Sequence, residues 1–117
     1  MKEFAALKRK LAPDELSFDL EVRKKHSGDK WFAVAVPDVV AFPKNAKSVS
    51  TILAFANKNK IPVTARGAGY GYVGGCVPTR GGIVISLMRL NRIKDINVDD
   101  FVAVVEPGVL KIGRAHV

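Results

Sequence analysis

The sequence has one cysteine, Cys76, in 117 residues. That excludes an internal disulfide and any metal centre built from several thiolates, and it fits a reducing compartment; a cytoplasmic location is expected. Histidines are almost as scarce, His26 and His116 only. Nothing pairs His26 with a base or a metal partner, so it reads as a surface residue and no metal site is expected. Long apolar runs are missing too. No stretch approaches the roughly 18 apolar residues of a membrane-spanning helix, and the charged first ten residues lead into no apolar export segment. Acidic residues are in the minority, 11 against 19 Lys and Arg, for a net charge of +8.

The positive charge gathers in Lys8-Arg9-Lys10, in Arg23-Lys24-Lys25 and along Lys44 to Lys60. Such runs are read first as solvated faces. Base-stacking aromatics are not interleaved with them; Phe4, Phe18, Trp31, Phe32, Phe42 and Phe55 suit core positions better. No nucleic-acid partner is therefore expected, although a basic module for RNA or an acidic protein surface remains the alternative reading.

With 48% hydrophobic and 26% charged residues the chain is globular, and its length allows one domain. Phe4, Leu7, Lys8 and Leu11 have helical spacing, and Pro13 stops that helix. Residues 17–32 are irregular and polar, expected as an extended arm with turns around Ser27-Gly28-Asp29. Val34 to Phe42 reads as a short strand interrupted by Pro37. Asn45 is a fit N-cap for a helix whose core face is Val49, Ile52, Leu53 and Ala56. Asn59 is expected to end it in the left-handed conformation, before Pro62. Strands follow at Ile61–Ala65, Ile83–Leu87, Ile93–Val98 and Phe101–Val105, the last two joined by a turn at Asp99-Asp100. The fold class is α+β, a small sheet flanked by helices, not a regular βαβ repeat.

The ending Ile112-Gly113-Arg114-Ala115-His116-Val117 matches one reading frame of a common short-read sequencing adapter. It is expected to be foreign to the natural sequence and is excluded from the fold reading, His116 with it. The natural chain is then expected to continue past Lys111. This leaves residues 1–33 as an N-terminal helix and arm and 34–111 as part of a domain.

Seven of the ten glycines lie in one stretch: Gly67, Gly69, Gly71, Gly74, Gly75, Gly81 and Gly82. Glycines tolerate positive φ and let another group approach the backbone, and successive N–H groups turned to one point make a concave anion site. Arg66 opens the run and Arg80 nearly closes it, adding fixed positive charge. The reading is a cradle for a diphosphate. Gly69-Tyr70-Gly71-Tyr72-Val73-Gly74 formally fits G-x-G-x-x-G, but that fingerprint needs a helix directly behind it. Here Gly75, Pro78, Gly81 and Gly82 follow, and no Lys-Ser/Thr pair closes a Walker-type loop. The loop passes from strand to strand.

From Val39 to Val109 the chain resembles the FAD-binding domain of the p-cresol methylhydroxylase and vanillyl-alcohol oxidase (PCMH-type) family, within it the glycolate oxidase subunit and D-lactate dehydrogenase branch. The matching pieces run in family order: Val40-Ala41-Phe42-Pro43, then Asn57 to Ile61 leading into Pro62-Val63. Arg66-Gly67-Ala68-Gly69 opens the loop and Gly74-Gly75 closes it. Gly81 to Leu87 follows, then Leu90-Asn91-Arg92-Ile93 and Val105-Glu106-Pro107-Gly108-Val109.

The resemblance implies that Arg66, Gly67, Ala68, Gly69, Tyr70, Gly71, Gly74 and Gly75 bind FAD, the backbone amides wrapping its pyrophosphate. Relatives carry threonine, or histidine in covalent flavoproteins, where this chain has Tyr70, so noncovalent FAD is expected. Tyr70 either lays its ring or hydroxyl near the cofactor or simply packs; Cys76 reads as a small filler of the loop. The implied activity is oxidation of a small 2-hydroxy acid, D-lactate or glycolate in type, to the 2-oxo acid, with the electron acceptor open. The same domain also serves sugar, aryl-alcohol and ether-lipid enzymes, which stay as alternatives. The family's substrate-handling and metal-binding groups lie in later segments, so no catalytic residue is assigned and this chain by itself is expected to be inactive.

Overall fold

A computed structural model describes residues 2–31, 33–71 and 74–110. Phe32, Tyr72, Val73 and the adapter-like ending lie outside them. A short 3-10 turn, Lys2–Phe4, runs into helix α1 (Ala5–Lys10). A second 3-10 turn at Pro13–Glu15 leads to strand β1 (Leu16–Ser17), helix α2 (Leu20–Lys25) and strand β2 (Val39–Ala41). Helix α3 (Ala46–Asn59), strand β3 (Val63–Arg66) and strand β4 (Ile83–Ser86) follow, then β5 (Ile93–Asn97) and β6 (Val102–Val105).

The main sheet has the order β1-β2-β4-β3. β4 lies at its centre, parallel to β2 on one side and β3 on the other; Ile83 is opposite both Val39 and Val63. Strands of a parallel sheet are covered on both faces and read as unbroken apolar runs. Accordingly Ile83-Val84-Ile85 and Val39-Val40-Ala41 are all buried. β1 joins antiparallel at the edge of β2. Helix α3 packs Ile52, Phe55 and Ala56 onto the sheet, and Phe4 of the first turn and Leu7 of α1 close the layer. The rings of Phe4 and Phe55 stand 6.2 Å apart. β5 and β6 form a separate antiparallel hairpin with Val98 and Phe101 exposed near its turn.

Asn45 caps α3 as expected, its Oδ1 accepting the Ser48 N–H at 2.9 Å. Two details of that helix differ from expectation. Its inward stripe is Ser48, Ile52, Phe55 and Ala56, an i, i+4, i+7, i+8 row, and Leu53 is 46% exposed. Left-handed conformation falls on Lys60, at φ 53°, and not on Asn59. Asn59 instead turns its Nδ2 back onto the Phe55 carbonyl at 2.9 Å. Lys60 N–H reaches Asn57 O and Ile61 N–H reaches Ala56 O at 2.9 Å, the paired bonds of a Schellman stop.

The arm also departs from the extended reading. Asp19 caps α2 by accepting the Val22 N–H, and Arg23 Nε donates to the Pro37 carbonyl at 2.9 Å. The strand expected over Val34–Phe42 shortens to three residues, because Val34 bridges back to Gly28 instead. His26 is half-buried, its ring edge-on to Phe42 at 5.3 Å, with Nδ1 2.8 Å from the Val22 carbonyl. Glu15 is 2% exposed; its carboxylate accepts the N–H groups of Ala12 and Lys44. Burial pushes its pKa up, but the Ser48 hydrogen bond, the two amides and the nearby Lys44 charge outweigh that and hold it below the ordinary carboxylate value.

Candidate functional site

β3 and β4 run parallel, so the chain must return from the carboxyl end of β3 to the start of β4. It does so through residues 67–82, with no helix among the described residues of that crossover. Parallel crossovers usually hold a helix; this one is a glycine loop, as the sequence indicated. Its first half leaves the carboxyl ends of β2, β4 and β3, the edge where open parallel sheets bind ligands.

The glycines divide into two kinds. Gly81 and Gly82 have φ of 71° and 75° and lock the return into β4. A Cβ on Gly82 would collide with the Pro62 carbonyl oxygen, while the Gly82 N–H is held by Asp38 Oδ2 at 2.8 Å. By contrast, among the described residues a Cβ on Gly67, Gly71, Gly74 or Gly75 would meet nothing within 4 Å. Packing does not require glycine at these four; they leave room beside the backbone. Among the described residues, no acceptor is found for the N–H groups of Gly67, Ala68, Gly69 and Gly75. Gly67, Ala68 and Gly69 are half-buried. Gly69, at φ 80°, supplies the left-handed step that such anion-binding concavities use. Open space, idle amides and a left-handed turn in one loop suit an anionic group such as a diphosphate.

Arg66, the last residue of β3, sits beneath this loop. Its Nη1 donates to the Gly28 carbonyl at 2.6 Å and lies 3.8 Å from Cys76 Sγ. A Cβ on Gly69 would run into the same guanidinium. The fold uses part of this charge as a strut against the arm. Arg80 is exposed in the return turn. Tyr70 is 61% exposed, with the Lys30 ammonium 4.6 Å from its ring centre. Cys76 is half-buried between Arg66 and Gly28 O.

Sequence reasoning missed the contribution of the arm. Asp29 Oδ2 accepts the Gly74 N–H at 2.9 Å, and Lys30 N–H donates to the Gly71 carbonyl at 3.0 Å. The only local signal was the Ser27-Gly28-Asp29 turn, and nothing in it indicates a partner 45 residues away.

The family described as FAD binding domain matches residues 37–111. A D-lactate dehydrogenase of Anaerostipes hadrus is 37% identical over 109 residues, covering 93% of this chain and 22% of that protein. The glycolate oxidase subunit GlcD of Bacillus subtilis (strain 168) is 35% identical over 78 residues, 67% of this chain and 17% of the relative. The chain thus spans about a fifth of the length of the curated relatives it matches. The crystal structure of p-cresol methylhydroxylase with substrate bound superposes with a TM-score of 0.80 at 19% identity, over 98% of this chain and 23% of that one. At that identity the likeness establishes the fold, which is PCMH-type as the sequence resemblance implied. No helix among the described residues is long and apolar enough to cross a membrane.

Proposed function

The chain belongs to the FAD binding domain family, and from that premise we propose that its 66–75 loop holds the FAD diphosphate noncovalently in an oxidoreductase of small 2-hydroxy acids. The observation that carries the proposal is the set of idle amides at Gly67, Ala68, Gly69 and Gly75, beside glycines with open space where a Cβ would stand. Hydrogen bonds to a charged acceptor contribute about 1.5–3 kcal/mol each, so a few such donors make the loop a main anchor. Arg66 braces it from below, Tyr70 flanks it, and Gly71 and Gly74 keep the approach clear. The body formed by 34–111 carries the loop, with 1–33 as its helix and arm.

Tyr70 stands where covalent relatives have a histidine, which favours a dissociable cofactor. When bound, FAD supplies the acceptor for the hydride removed from the alcohol carbon. The residues of this chain bind and orient the cofactor, and we assign none of them a chemical step. The 2-hydroxy acid class rests on the D-lactate dehydrogenase and glycolate oxidase relatives. A cytoplasmic setting belongs to the same proposal and rests on the lone thiol.

The test uses the longest product of the gene that carries this chain. Titration with FAD is expected to quench flavin fluorescence saturably, and gel filtration in denaturant to release the flavin intact. Reduction of an artificial acceptor is then compared with D-lactate, glycolate, a sugar and an aryl alcohol. A product that takes up no flavin ends the cofactor assignment. Turnover of the sugar or aryl alcohol alone ends the substrate assignment.

A further inference from the structure

Three hydrogen bonds tie the arm to the glycine loop within three consecutive residues. Gly28 O accepts from Arg66 at 2.6 Å, Asp29 Oδ2 from the Gly74 amide at 2.9 Å, and Lys30 N–H donates to Gly71 O at 3.0 Å. They grip the loop at its root and at Gly71 and Gly74. The bond from Asp29 is the one of the three made by an arm side chain. It engages an amide of the very run whose neighbours at Gly69 and Gly75 are idle. A glycine-rich loop without such ties is conformationally free, and every residue it must order on binding costs affinity.

Resting on the diphosphate reading above, we propose that Asp29 is a positioning residue that pre-sets the FAD loop. Its carboxylate fixes Gly74, so the remaining amides are arranged before the cofactor arrives. It touches the loop and not the cofactor. Its negative charge beside a diphosphate site is unfavourable by itself, while Arg66, on the Gly28 carbonyl, and Lys30, over the Tyr70 ring, bring positive charge to the same segment. What the site draws from Asp29 is the acceptor oxygen.

The proposal is tested by FAD titration of Asp29→Ala, Asp29→Asn and Asp29→Glu in the longest product of the gene, together with amide hydrogen exchange at Gly74. Asp29 Oδ1 also accepts the Trp31 N–H at 2.8 Å; Asp29→Asn keeps one acceptor oxygen, which serves Gly74 when the amide NH2 takes the exposed Oδ1 position, and it is expected to bind within about threefold of wild type. Asp29→Ala removes the acceptor and is expected to lose about tenfold or more. Asp29→Glu keeps the charge but displaces the acceptor by one methylene, and is expected to fall between them. Gly74 exchange is expected to quicken in Asp29→Ala and not in Asp29→Asn, with the Val84 amide in β4 unchanged in both.

Rescue by asparagine separates positioning from general destabilisation, which both neutral variants would share. Asp29→Ala binding FAD as well as wild type, or better, overturns the proposal; tighter binding would mean that the carboxylate competes with the diphosphate for Gly74. Asparagine no better than alanine also overturns it. Should Asp29→Ala not fold, Asp29→Glu decides: wild-type affinity counts against. Absence of flavin binding in the wild type defeats the cofactor reading alone, and Gly74 exchange still decides whether Asp29 sets the loop.

Discussion

The Oε2 of Glu15 accepts the Lys44 N–H at 3.2 Å, joining the arm to the entry of helix α3 across 29 residues of sequence. With Ala12 N–H on Oε1 and Ser48 hydrogen-bonded as well, a carboxylate that is 2% exposed has both oxygens engaged by hydrogen bonds. Because its native pKa lies below the ordinary value, the unfolded chain binds this proton more readily than the native one. The stabilisation is complete above the ordinary carboxylate pKa and disappears as pH falls through the lowered native value. Glu15→Gln is expected to cost about 2 kcal/mol at neutral pH, since buried donors lose their partner. It is also expected to flatten the acid limb of stability against pH, measured by urea denaturation at a series of pH values. Parallel acid limbs in wild type and variant would refute the assignment.

Gly67 and Gly69 are two positions apart and answer a valine differently. Among the described residues, nothing lies within 4 Å of a Cβ at Gly67, whereas Gly69 has φ 80° and the Arg66 guanidinium in the way. Gly67→Val is expected to change stability by no more than about 0.5 kcal/mol. The same change fills the space beside the idle amides and is expected to lower FAD affinity by about tenfold or more. Gly69→Val is expected to lose both stability and binding. Thermal melts set beside flavin titrations of the two variants make the comparison, and undiminished binding by Gly67→Val would remove the diphosphate from this loop.

Much of this was legible from local pattern. The apolar run Ile83-Val84-Ile85 announced a buried strand, Asn45 a helix start, Asp99-Asp100 a hairpin turn, and the Pro and Gly-Gly after Gly75 a loop that does not become a helix. What escaped depends on tertiary partners. Helix α2 is six residues of mostly charged sequence, and its Arg23 is fixed by the distant Pro37 carbonyl. The inward stripe of α3 keeps Ile52 and Ala56 of the sequence reading but takes Phe55 in place of Leu53, because Phe55 meets Phe4 just before α1, which sequence periodicity does not encode. In the candidate site the glycines were visible, while Asp29 and Lys30 were hidden because they lie 45 and 41 positions from their partners in sequence.

Lys60 carries the left-handed turn that closes α3, at φ 53°. A side chain in that conformation costs about 1–2 kcal/mol relative to glycine, which bears no Cβ. Both Schellman bonds use backbone atoms alone, and Lys60 is exposed. Lys60→Gly is expected to stabilise the fold by about 1 kcal/mol, less whatever glycine returns to the unfolded chain. Guanidinium denaturation with unchanged m-value is the measurement, and a loss of stability would contradict the assigned helix stop.

Gly82 tests the other half of the glycine run. Its φ of 75° already disfavours any side chain, and a Cβ there would press into the Pro62 carbonyl, which accepts the Ile83 N–H at 2.9 Å. Relief requires moving β3 away from the centre of the sheet or twisting Gly82 out of the left-handed region, which would pull its N–H from Asp38. Gly82→Ala is therefore expected to cost about 2–3 kcal/mol. The cost falls on folding and not on a ligand contact, so residual folded protein is expected to bind FAD with near wild-type affinity once the folded fraction is counted. Equilibrium unfolding gives that fraction and flavin titration the affinity. If Gly82→Ala were as stable as wild type, Ile83 would not be paired to Pro62 as described, and the parallel register that sets the loop at the strand ends would be wrong.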